Sequence, residues 1–133
     1  MPTREGPDLS DPAAIADATR DVDGVLHLAT RIRSLEQLGN RDAWRENDRL
    51  CADASRILVE AAIAAGAAVY VEPTVTFVYP PEGSVSEATP IADVPAILRS
   101  ALAAEQQAER FAHAGRRGVV LRFRAPGRAR RRQ

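Results

Sequence analysis

The sequence contains no lysine, because all 18 of its basic residues are arginine. This absence excludes three kinds of site that depend on a lysine amine: a Walker A phosphate loop, a Schiff-base lysine and a Tyr-x-x-x-Lys catalytic pair. Cysteine is almost as scarce, since Cys51 is the only one and cannot form a disulfide within the chain. No histidine lies near Cys51 in the sequence, so we interpret it as a small, half-buried helix residue rather than a nucleophile.

Long hydrophobic runs are also missing. None approaches the roughly 18 apolar residues that a membrane-spanning helix needs, and the N-terminus lacks the apolar segment of a signal peptide. We therefore expect a cytoplasmic protein with no membrane partner. A chain of 133 residues is expected to form one domain.

The net charge of zero hides an uneven distribution. Residues 122–133 hold six arginines and no acidic residue, which leaves 12 arginines and 18 acids in the other 121 residues. A basic tail can neutralise nucleic-acid phosphates, but residues 125–133 contain no aromatic side chain on which bases could stack. Nucleic acid is therefore not an expected partner. We predict a loose N-terminus over residues 1–7 and a disordered arginine-rich tail over residues 125–133.

A long helix followed by a strand forms the centre of the pattern. The helix is predicted to begin with Asp42 as its N-cap and to end at Gly66, which can adopt a left-handed conformation. Its apolar residues recur three and four apart, as one buried stripe requires: Leu50, Ala54, Ile57, Leu58, Ala61, Ala62 and Ala65. A β-prone strand follows over Ala67–Val71, and a second apolar strand lies upstream over Gly24–Ala29.

The remaining segments continue the same alternation. Further elements are predicted as a helix over Ala13–Arg20 capped by Asp11, a β-like segment over Thr74–Tyr79, a helix over Ile97–Ala114 and a strand over Val119–Leu121. Helices between strands indicate a parallel sheet with right-handed crossovers. The sequence therefore predicts an α/β fold: a truncated, Rossmann-like three-layer unit whose short parallel sheet of about three strands is flanked by helices.

Several short motifs, taken in order, resemble one family, the NAD-dependent epimerase/dehydratase group of the extended short-chain dehydrogenase/reductases. The similarity covers roughly residues 7 to 124. The motifs are the stretches Asp8–Pro12, Asp23–Thr30, Arg56–Gly66, Thr74–Tyr79 with Glu87–Pro90, Ala108–Phe111 and Val119–Phe123. The resemblance implies that residues 8–124 form a partial Rossmann-like NAD-binding domain.

The resemblance also implies a cofactor and a set of site residues. NAD or NADP would lie against Asp8, Leu9, Leu28, Ala29 and Thr30, at the carboxyl ends of the strands. Thr74 matches the catalytic Ser/Thr of the family, whose hydroxyl binds the substrate oxygen. The implied substrate is similar to a nucleotide sugar.

The chain departs from the family pattern at three places. In the family, a glycine-rich strand, turn and helix precede the position of Asp8, and a substrate-binding lobe follows the last strand. Neither is found in this sequence. The family's tyrosine and lysine would fall at Ala101 and Glu105, so hydride transfer lacks its acid–base partner. One hypothesis is a family member by descent that is inactive or incomplete as this chain. The alternative is a non-catalytic truncated fragment, or one piece of a split protein, that acts only by association.

Other polar residues receive structural interpretations. His27 is predicted to be a satisfied core histidine, and no metal site is expected. Glu105, Glu109 and His113 lie four apart on one helix and are predicted to form a solvated face. Trp44 is interpreted as a packing residue. An open, apolar edge along Val25–Ala29 predicts a homo-oligomer formed by pairing of exposed sheet edges.

Overall fold

The structure is a computed structural model that describes residues 6–29, 40–75, 79, 83–84, 86–91 and 98–124. Helices α1 (Pro12–Ala18), α2 (Arg41–Ala65) and α3 (Arg99–His113) alternate with strands β1 (Gly24–Leu26), β2 (Val69–Val75) and β3 (Arg117–Phe123). The predicted alternation of helices and strands is confirmed. Residues 1–5 and 125–133 lie outside the described ranges, so the loose N-terminus and the arginine-rich tail stay predictions, as does the cytoplasmic location.

The three strands form one parallel sheet in the order β1-β2-β3. Gly24 pairs with Val69, and Val69 pairs in turn with Arg117, so all three strands start at the same level. Parallel neighbours need a crossover between them, and α2 and α3 supply the two crossovers. The expected α/β unit with a three-stranded parallel sheet and flanking helices is confirmed.

Strand β1 is shorter than predicted, and Pro73 explains why. The His27 amide donates to the Val71 carbonyl at 3.1 Å, which shows that alternate residues of β2 point their backbone groups at β1. The next bond of a parallel ladder would run from the amide of residue 73 to the His27 carbonyl, but proline has no N–H. The predicted extension of β1 to Ala29 is therefore wrong, and the strand ends at Leu26.

Proline does not interrupt β2 itself. Because the missing N–H faces β1, pairing with β3 continues through Pro73 to Val75. The two segments predicted at Ala67–Val71 and Thr74–Tyr79 are thus one strand, Val69–Val75, with residues 76–78 outside the described ranges.

The helix ends follow ordinary capping chemistry, with one correction. Asp11 caps α1 by accepting hydrogen bonds from the Ala13 and Ala14 amides, at 3.0 and 3.3 Å. Helix α2 is capped by Asn40, which accepts from the Asp42 amide at 3.1 Å, so the predicted cap at Asp42 is wrong by two positions. Gly66 ends α2 with φ of 77°, as predicted.

The hydrophobic core lies between one face of the sheet and the helices. Its members include Ile15 of α1, Val59 of α2, Tyr70 of β2 and Phe111 of α3. The rings of Tyr70 and Phe111 lie 5.9 Å apart at a tilt of 42°. The predicted stripe on α2 is buried at Ala54, Ile57, Leu58, Ala61 and Ala62, whereas Leu50 and Ala65 are half-buried. Trp44 is buried and Cys51 half-buried, as predicted.

The side chains of β2 alternate between two different environments. Tyr70, Glu72 and Thr74 are buried on the face that α2 and α3 cover, whereas Val71 and Val75 point to the other face and are half-buried. Across the described residues, the helices pack on the first face only. A second helical layer, expected for a three-layer unit, is not seen in that part of the chain.

Candidate functional site

Thr74, the predicted catalytic hydroxyl, lies near the carboxyl end of β2 and is buried. Its Oγ1 donates a hydrogen bond to Glu105 Oε1 of α3 at 2.7 Å. A hydroxyl has one proton to donate, so in this arrangement Thr74 can only accept from another group. A substrate carbonyl oxygen therefore could not be bound by this hydroxyl unless Glu105 moved.

Glu105 is only 4% exposed, and Arg122 of β3 compensates its charge. Arg122 donates from Nε to Oε1 at 2.9 Å and from a terminal nitrogen to Oε2 at 2.8 Å, which is a bidentate pair. The predicted solvated face is therefore wrong at Glu105, although Glu109 and His113 are exposed as expected. The reason is that Arg122 points from the sheet at the helix face that bears Glu105.

Arg122 also contacts Tyr79. Its other terminal nitrogen donates to the Tyr79 hydroxyl at 2.7 Å, and its guanidinium carbon lies 4.8 Å from the centre of the tyrosine ring. The hydrogen bonds to Glu105 raise the pKa of Arg122 above its usual value. Thr74, Glu105, Arg122 and Tyr79 thus form a connected group, called here the Glu105 cluster, in which the buried charges are neutralised.

A second buried group surrounds Glu72, which lies two residues before Thr74 on the same face of β2. Glu72 Oε2 accepts from the Tyr70 hydroxyl at 2.5 Å and lies 3.3 Å from Ser55 Oγ and 3.2 Å from His27 Nδ1. Burial, followed by the negative charge of Glu72, raises the pKa of Tyr70 well above its usual value. These four residues are called here the Glu72 cluster.

His27 is buried as predicted, but among the described residues only one of its ring nitrogens has a partner. Nδ1 lies within hydrogen-bond distance of Ser55 and Glu72, whereas Nε2 is buried and has no hydrogen-bond partner in the described part of the chain. A proton on Nδ1 suits the Glu72 carboxylate and leaves Nε2 as an acceptor. His27 therefore holds an unused acceptor next to the predicted cofactor contact Leu28.

The predicted cofactor residues fall in two places. Asp8 and Leu9 line a cleft of about 540 Å³ between the start of α1 and the outer surface of α2. Leu28 and Ala29 follow the end of β1 and do not line that cleft; Leu28 is exposed and Ala29 half-buried. Thr30 lies outside the described residues. The assignment of these residues to a cofactor stays a prediction.

The cleft combines an apolar floor with charges of both signs. Leu50, Ala54 and Ile57 of α2 form the floor, and the charged residues that line it are Asp8, Glu46, Arg49, Asp53 and Arg56. Asp8 accepts hydrogen bonds from the Ser10 hydroxyl at 2.7 Å and the Ser10 amide at 2.8 Å, and these bonds lower its pKa. The Asp8 carboxylate is therefore ionised at neutral pH.

Sequence reasoning missed both buried clusters. The signal was present in the strands, because Tyr70, Glu72 and Thr74 alternate on one face of β2, and Arg122 shares a face of β3 with Val120. Strand alternation would have placed each polar side chain against a helix. No group of three metal-ligating side chains occurs in the described residues. Within those residues, no helix is long and apolar enough to cross a membrane.

No protein-family model and no curated protein matches the sequence. Solved structures do match the fold, and they define it as part of a Rossmann fold. DesIV, a dTDP-glucose 4,6-dehydratase from Streptomyces venezuelae solved with NAD and TYD, matches at 19% identity and a TM-score of 0.71, over 86% of this chain and 36% of its own.

Two further structures agree with this comparison. A short-chain dehydrogenase/reductase superfamily protein from Agrobacterium tumefaciens with bound NAD is 26% identical, with a TM-score of 0.70, over 87% of this chain and 35% of its own. The UDP-Glc/GlcNAc 4-epimerase of Campylobacter jejuni is 22% identical, with a TM-score of 0.68, over 88% of this chain and 36% of its own. Another matching structure contains NADPH.

The resemblance to NAD-dependent epimerases and dehydratases of the short-chain dehydrogenase/reductase superfamily is thus confirmed. This chain spans only about a third of the length of the three structures above.

Proposed function

We propose that this chain forms the cofactor-facing part of an NAD(P)-dependent epimerase or dehydratase architecture for nucleotide-sugar-like substrates. In this proposal it binds the nucleotide end of NAD or NADP in the cleft beside Asp8 and Leu9. The observation that carries the proposal is that two residues implicated by sequence alone line the same cleft. Its volume of about 540 Å³ lies within the usual range for small-molecule sites.

The side chains of the cleft have the chemistry that a nucleotide requires. The apolar floor on α2 suits one face of a purine ring. The ionised Asp8 carboxylate can accept hydrogen bonds from ribose hydroxyls, and Arg49 and Arg56 can donate to phosphate oxygens. Bound NAD(P) would supply the hydride acceptor or donor of the reaction.

We propose further that this chain does not transfer a hydride by itself. Ala101 and Glu105 stand where the resemblance places the family's tyrosine and lysine. Glu105 also accepts the one hydrogen bond that the Thr74 hydroxyl can donate. The Tyr70 hydroxyl donates its proton to Glu72, whereas the Tyr79 hydroxyl accepts from Arg122 and keeps its own proton, but neither stands at the position that the resemblance gives to the family's tyrosine. Thr74 would therefore bind a substrate oxygen only if Glu105 moved away, and it would still lack the tyrosine that the resemblance implies as its acid–base partner.

Nucleotide binding is tested by titrating the chain with NAD, NADP and AMP while its melting temperature is measured, followed by calorimetry. A saturable rise is expected with at least one of them, because a ligand that binds only the folded state stabilises it. Asp8→Ala should abolish the rise. Asp17→Ala is the matched control, since Asp17 is exposed on α1 and outside the cleft. No rise with any of the three nucleotides would overturn the proposal.

Association with another chain is a second candidate function, and a separate observation favours it. Leu26 and Leu28 are 55% and 65% exposed beside the edge of β1 that pairs with no other strand in the described ranges. An uncovered strand edge offers unpaired backbone groups to a neighbour. This edge is only three residues long, whereas β3 offers seven residues at the opposite edge of the sheet. Pairing through either edge should slow amide exchange along that strand as protein concentration rises.

A further inference from the structure

The face of the sheet opposite the helices carries apolar side chains where a solvated sheet would carry polar ones. We call it the open face and define it by Leu26, Val71, Val119, Leu121, Phe123 and Arg117. Leu26 is 55% exposed, Leu121 43% and Phe123 59%. In sheets with one solvated face the outward residues are usually polar, and a contiguous exposed apolar patch usually marks an interface.

We propose that a second copy of this chain covers the open face, packed sheet against sheet, with its two-fold axis parallel to the strands and over β2. This operation places β1 of one copy over β3 of the other and keeps all strands pointing the same way. Packing of two sheets at a small angle is a common way to bury apolar faces. The inference does not depend on the proposed nucleotide site.

The distribution of charge selects this arrangement. Gly24 and Arg117 are level with each other across the sheet, because both pair with Val69. The proposed rotation therefore lays Arg117 of each copy over the start of β1 in the other, beside the exposed Asp23. Opposite charges then meet on both sides of the two-fold axis, at the level where the strands start, while Leu26 lies over Val119 two residues further along.

The other face-to-face two-fold arrangement is disfavoured by the same charges. A two-fold axis perpendicular to the strands would lay the start of β3 over its end in the other copy. Arg117 would then lie near the other copy's Arg124, which is exposed just beyond β3. Like charges directly opposite each other destabilise an interface. Reversing the charge at position 117 should therefore weaken a dimer of the first arrangement and strengthen a dimer of the second.

The size of the open face predicts a weak dimer. Two strands of seven residues and one of three, spaced about 4.8 Å apart with about 3.3 Å per residue, present a patch of at most about 15 by 20 Å. Covering it on two copies would bury on the order of 1,000 Å², at the lower limit for specific interfaces. We therefore expect a monomer–dimer equilibrium that depends on concentration rather than a permanent dimer.

Sedimentation equilibrium across a range of concentrations tests the proposal. The unchanged chain should dimerise, and Leu121→Lys should remove the dimer while its circular dichroism stays that of the folded chain. Ile91→Lys is the matched control, because Ile91 is 42% exposed but belongs to a loop and not to a strand of the sheet. This control should dimerise like the unchanged chain.

Charge exchange tests the symmetry. Arg117→Asp and Asp23→Arg should each weaken dimerisation by about tenfold, and the double exchange should restore most of the affinity. Two results would overturn the inference: a chain that remains monomeric at every concentration, or a dimer that Leu121→Lys does not weaken. The latter result would assign association to a strand edge or to the helices.

Discussion

Glu72 and Glu105 are buried carboxylates that the described structure compensates in different ways. Glu105 faces the guanidinium of Arg122, whereas Glu72 is surrounded by a hydroxyl from Tyr70, a hydroxyl from Ser55 and the Nδ1 atom of His27. A buried charge needs such partners because its desolvation is unfavourable. Changing one partner should therefore have a larger effect here than anywhere on the surface.

Glu105→Ala is expected to lower the free energy of unfolding by about 3 kcal/mol, because it leaves the half-buried guanidinium of Arg122 without its counter-ion and removes the acceptor of the buried Thr74 hydroxyl. Glu109→Ala, on the exposed side of the same helix, should change it by less than about 0.5 kcal/mol. Urea denaturation measures both values. The double variant Glu105→Ala with Arg122→Ala should cost less than the sum of the two single changes. Additive costs would show that the pair is not coupled.

The buried Tyr70 and the half-buried Cys51 predict alkaline instability. Burial raises the pKa of Cys51 from 9.0 to about 11, and burial together with Glu72 raises the pKa of Tyr70 above its ordinary 10.0. Both groups keep their protons longer in the folded chain than in the unfolded one. Their contribution to stability is therefore complete below pH 9 and is lost progressively as the pH rises from there.

Urea denaturation at pH 8, 9, 10 and 11 checks this expectation. The free energy of unfolding should be level up to about pH 9 and then fall. Cys51→Ala should flatten the part of the fall between pH 9 and 11, and Tyr70→Phe should flatten the part above pH 10. A curve of the same shape in both variants would assign the alkaline loss to other groups.

At the scale of elements, Pro73 sets where β1 ends while leaving the pairing of β2 with β3 intact. Pro73→Ala would supply the missing amide, which can donate to the His27 carbonyl. We expect β1 to lengthen and the amide of Ala29 to exchange with solvent several-fold more slowly, as hydrogen–deuterium exchange by NMR can measure. Val75→Ala changes the same face of β2 without adding a donor and should leave Ala29 unchanged. Unaltered exchange at Ala29 in Pro73→Ala would mean that another cause ends β1.

The elements also show what a sequence can and cannot predict. The order of helices and strands was predictable because hydrophobic periodicity, Asp11 and Gly66 act locally. The end of β1 was not, since it depends on which way the backbone of Pro73 faces. The buried clusters were missed for a related reason: Glu105 looks like a surface residue until Arg122 is placed opposite it, 17 residues away. Likewise, His27 and Glu72 meet across 45 residues.

At the scale of the whole molecule, the fold has one well-packed face and one exposed apolar face. The helices cover Tyr70 and the two clusters, so the buried charged side chains of the sheet and their hydrogen bonds lie on that face. The similarity to solved dehydratases and epimerases was predictable from motif order, but the similarity concerns the fold. The chemistry depends on single positions such as Ala101 and Glu105, where this chain departs from the family pattern.

Stability that depends on association should depend on protein concentration. If a second copy covers the open face, dimer formation favours the folded state by mass action, and the melting temperature should rise by about 2 to 3 °C for each tenfold increase in concentration. Differential scanning calorimetry at several concentrations measures this slope. Leu121→Lys should melt at one temperature throughout, because its open face cannot pair. Equal slopes in the variant and the unchanged chain would mean that covering the open face contributes nothing to the stability of the fold.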